Sequence, residues 1–249
     1  MIDSEKKQNN IDTIQPAEKP KTLFESFWNR VLFLEMQHKI QESLVDRNYS
    51  IEKFENISAQ RLKKEREFCE AVLNGFEKFI KNHDPKNSLF LWDIMGTIGI
   101  YVDDFIVHDS IEQLMRFIKS RYPELKMGVL TDCDNAFIKK IFETPKGMFL
   151  KKYIDPNLYL SVFEDDLGTN PEKAIHDYSN LLKRLGGTLN EDEAKDIDKV
   201  ETYNRKKKIA RLLESQGSNV FAVDDLKWPE DVGMGVGVNS MYPDYGLYD

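Results

Sequence analysis

The stretch SLFLWDIMGTIGIYVDD, residues 88–104, decides the fold. A run of apolar or small residues leads straight into one acid, Asp93, and Gly96, Thr97 and more apolar residues follow. An unpaired carboxylate buried in such a segment would cost several kcal/mol. The stretch therefore predicts a core strand whose terminal acid has a chemical task.

On both sides of this stretch, the chain from Ser88 onward alternates short apolar runs with helical patterns. Near-continuous apolar strands separated by helices are typical of a parallel sheet covered on both faces. We therefore expect a doubly wound, mostly parallel α/β fold of the Rossmann-like kind. The predicted strands are residues 89–93, 127–131, 158–163, 219–224 and 234–238, and the predicted helices are 109–120, 134–143, 171–185 and 191–216.

The residues before this segment divide into two parts. Residues 1–21 are polar and lack a periodic apolar face, which predicts a disordered leader. Residues 22–85 predict a helical region that opens with a capping box at Thr22 and Glu25 and stops near Pro85. Residues 86–249 then form the α/β core. The helical region could cover a site or serve as a docking or homodimer contact, and the sequence leaves both open.

Composition limits the classes of function. The formal net charge of −8 argues against non-specific nucleic-acid binding, which needs a basic face. The two cysteines have no metal-like spacing and suit a reducing compartment. No apolar run is long enough to span a bilayer, and no signal peptide is visible. We expect a cytoplasmic protein with no membrane or nucleic-acid partner.

Polar residues follow three of the predicted strands. Asp93 ends the first, Thr131 and Asp132 follow the second, and Asp224 and Asp225 end the fourth. Ligands of open parallel sheets bind beyond the carboxyl ends of the strands. Facing carboxylates there, together with a backbone carbonyl and waters, suit Mg²⁺. Thr131 could instead cap the next helix, and Asp224 could be a turn residue.

These segments resemble the motifs of the haloacid dehalogenase-like (HAD) superfamily. LFLWDIMGT is similar to its first motif, usually Asp-x-Asp-Gly-Thr after four apolar residues, and MGVLT is similar to its second. NVFAVDD resembles the fourth motif, and a lysine about 20 residues upstream of it resembles the third. The resemblance covers roughly residues 86–240.

The resemblance implies a hydrolase of the phosphatase type. Asp93 would be the nucleophile and would form an aspartyl-phosphate. Thr131 would donate to a phosphoryl oxygen, and a lysine would neutralise developing charge. The implied set comprises the catalytic residues Asp93, Thr131 and Lys207, the substrate-binding residues Gly96, Thr97, Asp132 and Lys206, and the Mg²⁺ ligands Asp93, Asp224, Asp225 and the carbonyl of Met95.

Two departures separate this chain from the family pattern. Met95 stands where phosphatases of the family carry a second aspartate, and a thioether can neither protonate a leaving group nor activate water. Asp103 or Asp104, on an expected flap, could substitute. The third-motif lysine is ambiguous among Lys206, Lys207 and Lys208, of which we favour Lys207.

The sequence thus predicts a slow Mg²⁺-dependent hydrolase of a phosphorylated small molecule, or one acting on an unusual substrate. The alternative is a catalytically inactive binding or scaffold protein that keeps the fold and the metal site. Met95 supports the alternative, whereas the nucleophile, Thr131 and the paired acids argue against complete loss of chemistry.

Overall fold

A computed structural model describes residues 22–32, 51–101, 105–107, 109–162, 171–189 and 202–239 of the 249-residue chain. The expected leader lies outside these ranges, and so do residues 33–50 of the expected N-terminal helical region. The possible substitute acids Asp103 and Asp104 also lie outside them. The helices are α1 (23–32), α2 (Ile51–Ile80), α3 (Asp109–Arg121), α4 (Asn135–Glu143), α5 (Leu150–Tyr153), α6 (Pro171–Arg184), α7 (Thr202–Ser215) and α8 (Trp228–Asp231). The strands are β1 (Ser88–Trp92), β2 (Gly99–Tyr101), β3 (Phe105–Val107), β4 (Lys126–Thr131), β5 (Ile154–Ser161), β6 (Asn219–Asp224) and β7 (Gly235–Gly237).

Five strands form one sheet in the order β5-β4-β1-β6-β7, and each neighbouring pair is parallel. The strand that leads into Asp93 is therefore central, between the strands that end in Thr131 and Asp224. A separate antiparallel hairpin, β2–β3, follows Asp93 directly. The predicted parallel α/β sheet with flanking helices is confirmed.

Alternate residues of each central strand enter different cores, as strand geometry requires. Phe90 and Trp92 of β1 belong to a cluster with residues of α1 to α5. Leu89 and Leu91 belong to a second cluster with residues of α6, α7 and α8. Because both faces of the sheet are covered, the strands read as continuous apolar runs.

The long N-terminal helix α2 packs directly on the sheet. Phe76 of α2 contacts Phe90 and Phe221 with ring centroids 5.1 and 5.5 Å apart. Gly75 allows this approach, because a Cβ there would overlap the side chain of Val236. The helical region is thus continuous with the core on one face of the sheet.

The predicted capping box of α1 is present. The amide of Glu25 donates to Thr22 Oγ1 at 3.1 Å, and the amide of Thr22 donates to Glu25 Oε2 at 2.9 Å. Each side chain therefore satisfies an amide that the first helical turn leaves without a partner.

Candidate active site at the carboxyl edge of the sheet

Backbone pairing extends past the ends of the strands and fixes the positions of the polar residues. The amide of Asp93 donates to the carbonyl of Val223 at 2.9 Å, so Asp93 lies beside the end of β6. The amide of Val238 donates to the carbonyl of Asp224 at 2.8 Å. Both acids are therefore held on rigid backbone rather than on free loops.

Asp93, Asp224 and Asp225 form an acidic cluster, in which carboxylate oxygens of all three lie within 4.8 Å of one another. Asp93 and Asp224 are buried and Asp225 is exposed. The expectation that Asp93 and the Asp224/Asp225 pair face each other across the strand ends is confirmed.

Lys206 of α7 connects two of these acids. Its Nζ donates to Asp93 Oδ1 at 2.9 Å and to Asp224 Oδ2 at 2.8 Å. Only 1% of its side chain is exposed. Three carboxylates surround one ammonium, which leaves two negative charges unbalanced if all are ionised.

Burial and this charge excess together determine the protonation of the site. Burial raises the pKa of Asp93 well above its usual range, against the opposing effect of Lys206 and with help from Asp224. Burial alone would lower the pKa of Lys206, but Asp93 and Asp224 raise it, so the ammonium stays charged. Although Asp225 is exposed as a residue, partial desolvation of its carboxyl group, and then the neighbouring Asp224, raise its pKa to about 6.

The preference for Lys207 over Lys206 was wrong. Adjacent residues on a helix point about 100° apart, so one lysine of the trio can face the site. The structure places Lys206 in it, whereas Lys207 and Lys208 are half-buried on other sides of α7. The neighbouring Arg205 is buried and donates to the carbonyl of Val162 at 3.0 Å, which ties α7 to the end of β5.

Thr131 is buried at the end of β4, and its Oγ1 accepts from the amide of Cys133 at 3.3 Å. It does not cap α4, because Asp134 occupies that position and accepts from the amide of Phe137. Burial raises the pKa of the Cys133 thiol to about 12, so this cysteine stays protonated. Asp132 is exposed beside them.

The turn after Asp93 carries the remaining expected contacts. Gly96 has φ +78°, and a Cβ there would overlap Asp225 Oδ2. Thr97 is fully buried, and within the described residues its Oγ1 has no hydrogen-bond partner. The Met95 side chain is half-buried and packs against the apolar core. The expected role of the Met95 carbonyl stays a prediction.

Sequence reasoning missed Trp228. Its Nε1 donates to Asp224 Oδ2 at 2.7 Å, the same oxygen that accepts from Lys206. The amide of Leu226 donates to Asp224 Oδ1 at 2.9 Å, so the turn interpretation of Asp224 holds together with its place in the site. The sequence shows only a tryptophan four residues after a strand-terminal acid. Its burial, which makes the indole N–H need an acceptor, is a property of the fold.

Within the described residues, no helix has the length and apolar character that crossing a membrane requires. No family model, curated protein or solved structure matches the chain. The residues of the site are therefore the basis on which a function can be argued.

Proposed function

We propose that this chain is a HAD-like hydrolase that cleaves a phosphorylated small molecule through an aspartyl-phosphate on Asp93, with Mg²⁺. The observation that carries the proposal is the pair of hydrogen bonds from Lys206 to Asp93 and Asp224. Three separate elements, β1, α7 and β6, deliver these residues to the carboxyl edge of one sheet. Burial of a charged set of this kind costs stability, and such sets with perturbed pKa values cluster at functional sites.

The arrangement of the strands supports the same assignment. The strand of the first motif is flanked by the strands of the second and fourth, so the resembling segments converge. The β2–β3 hairpin lies where the resemblance implies a flap, directly after the expected nucleophile. These features support the HAD interpretation in addition to the amino-acid sequences of the motifs.

The acidic cluster fits a divalent cation. When all three acids are ionised, the two unbalanced negative charges match one divalent ion, and carboxylate oxygens are the ligands that Mg²⁺ prefers. Asp93, Asp224 and Asp225 would hold it, and when bound it would supply charge neutralisation for the phosphoryl group. Gly96 leaves the space that the Asp225 carboxylate occupies.

In the proposed reaction an Asp93 oxygen attacks phosphorus and the ester P–O bond breaks. The alcohol oxygen leaves with the bonding electrons and takes a proton from solvent water. Lys206 keeps its positive charge beside Asp93 and offsets the charge that builds on the phosphoryl oxygens. Water then cleaves the aspartyl-phosphate and regenerates Asp93. Thr131 would hold a phosphoryl oxygen.

A second candidate, a non-catalytic binding protein, is favoured by one observation. Met95 packs against the apolar core instead of offering a proton donor to the site. A chain with this side chain would bind a phosphorylated ligand and Mg²⁺ without turning the ligand over.

Wild type and Asp93→Asn separate the candidates. If the protein is a hydrolase, wild type should turn over an aryl phosphate in the presence of Mg²⁺, and Asp93→Asn should abolish this turnover. Mg²⁺ should raise the melting temperature of wild type, and less so that of Asp93→Asn, because the variant loses a ligand and some of the repulsion. Equal, background-level turnover in both proteins rejects the hydrolase, and a melting temperature indifferent to millimolar Mg²⁺ rejects the metal site.

A further inference from the structure

The Asp224 carboxylate is held by three donors, and this constrains Lys206. Oδ1 accepts from the Leu226 amide, while Oδ2 accepts from both Lys206 Nζ and Trp228 Nε1. With both oxygens engaged, the carboxylate cannot rotate without breaking a hydrogen bond. Lys206 is thereby held where its Nζ also reaches Asp93.

Trp228 is well placed to be the fixed member of this set. It is 1% exposed and belongs to the apolar cluster that includes Ile209 and Leu213 of α7. Its indole N–H is neutral and can only donate, so it adds a hydrogen bond to Asp224 without adding charge. A lysine or arginine there would cancel half of the charge excess that attracts a cation.

We propose that Trp228 is a positioning residue that acts through Asp224 and Lys206 on the Asp93 carboxylate. The chain of hydrogen bonds runs from the indole to Asp224 Oδ2, then to the ammonium and then to Asp93 Oδ1. The effect of Trp228 on catalysis rests on the proposed function, whereas its effect on the positions of Asp224 and Lys206 does not. Partners that orient metal-binding groups typically contribute 10- to 100-fold in affinity or activity.

The first experiment uses the ¹⁵N-labelled full chain and the indole N–H resonances of its three tryptophans. Trp228→Phe assigns one cross-peak by its loss. If that variant does not fold, Trp28→Phe and Trp92→Phe assign it by elimination. Asp93→Asn should shift the Trp228 cross-peak, because Lys206 then redistributes its hydrogen bonds toward Asp224.

Asp132→Asn is the matched control. It removes one negative charge near Asp93 from an exposed side chain. A shift caused by Asp93→Asn and absent in Asp132→Asn supports the proposal. The absence of a shift with Asp93→Asn overturns the proposal, because the hydrogen bonds would then not be coupled. Equal shifts in both variants also overturn it, because a general field effect would then explain the response.

The second experiment measures Mg²⁺ affinity by calorimetry, without turnover. Trp228→Phe should weaken Mg²⁺ binding by roughly 10-fold, and Trp28→Phe, in the other core cluster, should leave it unchanged. Unchanged affinity in Trp228→Phe overturns the proposal. Absence of aryl phosphatase activity in wild type would reject the hydrolase and leave both of these results standing.

Discussion

Lys206 Nζ donates to Asp93 Oδ1 at 2.9 Å, although 113 residues of chain separate the two. Both side chains are almost completely buried, with 1% and 2% exposed. An ammonium and a carboxylate are rarely buried to this degree unless they are paired. Their contact therefore makes the stability of the fold and the chemistry of the site interdependent.

Replacing Lys206 should destabilise the protein strongly. Lys206→Met leaves the buried carboxylates of Asp93 and Asp224 without their cation, and breaking a buried pair in this way costs about 3–5 kcal/mol. Urea denaturation measures the loss. Lys207→Met is the matched control, because that residue is half-buried on another side of α7. Equal losses in both variants would contradict the assignment. Mg²⁺ should stabilise both variants, and Lys206→Met by the larger amount, because its acidic cluster has lost the ammonium.

Met95→Asp should raise turnover of the proposed hydrolase. It restores a carboxylate two residues after the nucleophile, and a general acid–base group typically contributes about 10²–10⁴ in rate. We expect a gain of up to about 10²-fold, larger for alkyl than for aryl phosphates, because alkyl leaving groups need protonation more. Steady-state kinetics on both substrate types measures it. A folded variant without any gain would favour the binding-protein alternative.

Gly96→Ala should impair Mg²⁺ binding beyond its effect on stability. A side chain at φ +78° costs about 1–2 kcal/mol, and the new Cβ also displaces the Asp225 carboxylate. Gly217→Ala is the control, because Gly217 has φ +87° with no atom within 4 Å of the added Cβ. Without Mg²⁺, thermal melts should show similar losses of melting temperature for Gly96→Ala and Gly217→Ala. With Mg²⁺, the rise in melting temperature should be reduced in Gly96→Ala and not in Gly217→Ala.

The metal-free protein should lose stability as the pH rises from about 4 to about 6. An unfolded aspartate titrates near 3.9, whereas the pKa of Asp225 in the fold is about 6. Between these values the native state binds more protons than the unfolded state, so its stability falls with pH. The effect is small, because Asp225 is exposed and solvent screens its charge.

Thermal melts in EDTA across this range measure the decline, which Asp225→Asn should reduce. Mg²⁺ affinity should increase over the same interval, since Mg²⁺ competes with the proton for Asp225. A pH-independent affinity between pH 5 and 7 would contradict the participation of Asp225.

The strands of the sheet could be predicted from the sequence because each is buried on both faces. All five predicted apolar runs overlap observed strands, from β1 at Ser88–Trp92 to β7 at Gly235–Gly237. The boundaries shifted most in β5, predicted at 158–163 and observed at Ile154–Ser161. Its pairing with β4 is irregular between Met127 and Val129, and its first half is more exposed, so hydrophobicity alone did not mark it.

The β2–β3 hairpin was not predicted as strands. Each strand has only three residues, shorter than the runs of about 4–8 that indicate a strand. The sequence between them also lacks the Asn-Gly or Asp-Gly pair that signals a tight hairpin turn. Among the helices after Ser88, α3 and α4 were predicted well, because their apolar periodicity is strong. The four-residue helices α5 and α8 were not predicted, since one turn is too short to show a period. The predicted helix 191–216 is observed from Thr202, and its first residues lie outside the described part of the chain.

The acids of the site could be predicted because strand ends in a parallel sheet share one edge. Asp93 and Asp224 follow directly from that rule. The choice among Lys206, Lys207 and Lys208 could not be made, because it depends on the rotation of α7 about its axis, which packing of Ile209, Ala210 and Leu213 determines. Trp228 was not predicted for a similar reason, since only the folded chain brings its indole to Asp224.

The central position of β1 has a consequence for the order in which the protein is made. β1 and β4 leave the ribosome before α7 and β6, so Asp93 exists for 113 residues of synthesis without Lys206. At about 5–20 residues per second, this interval lasts roughly 6–23 s. During it, the middle strand lacks its second neighbour, and its acid must remain hydrated or protonated. Completion of the sheet and neutralisation of Asp93 are therefore one late event in biosynthesis.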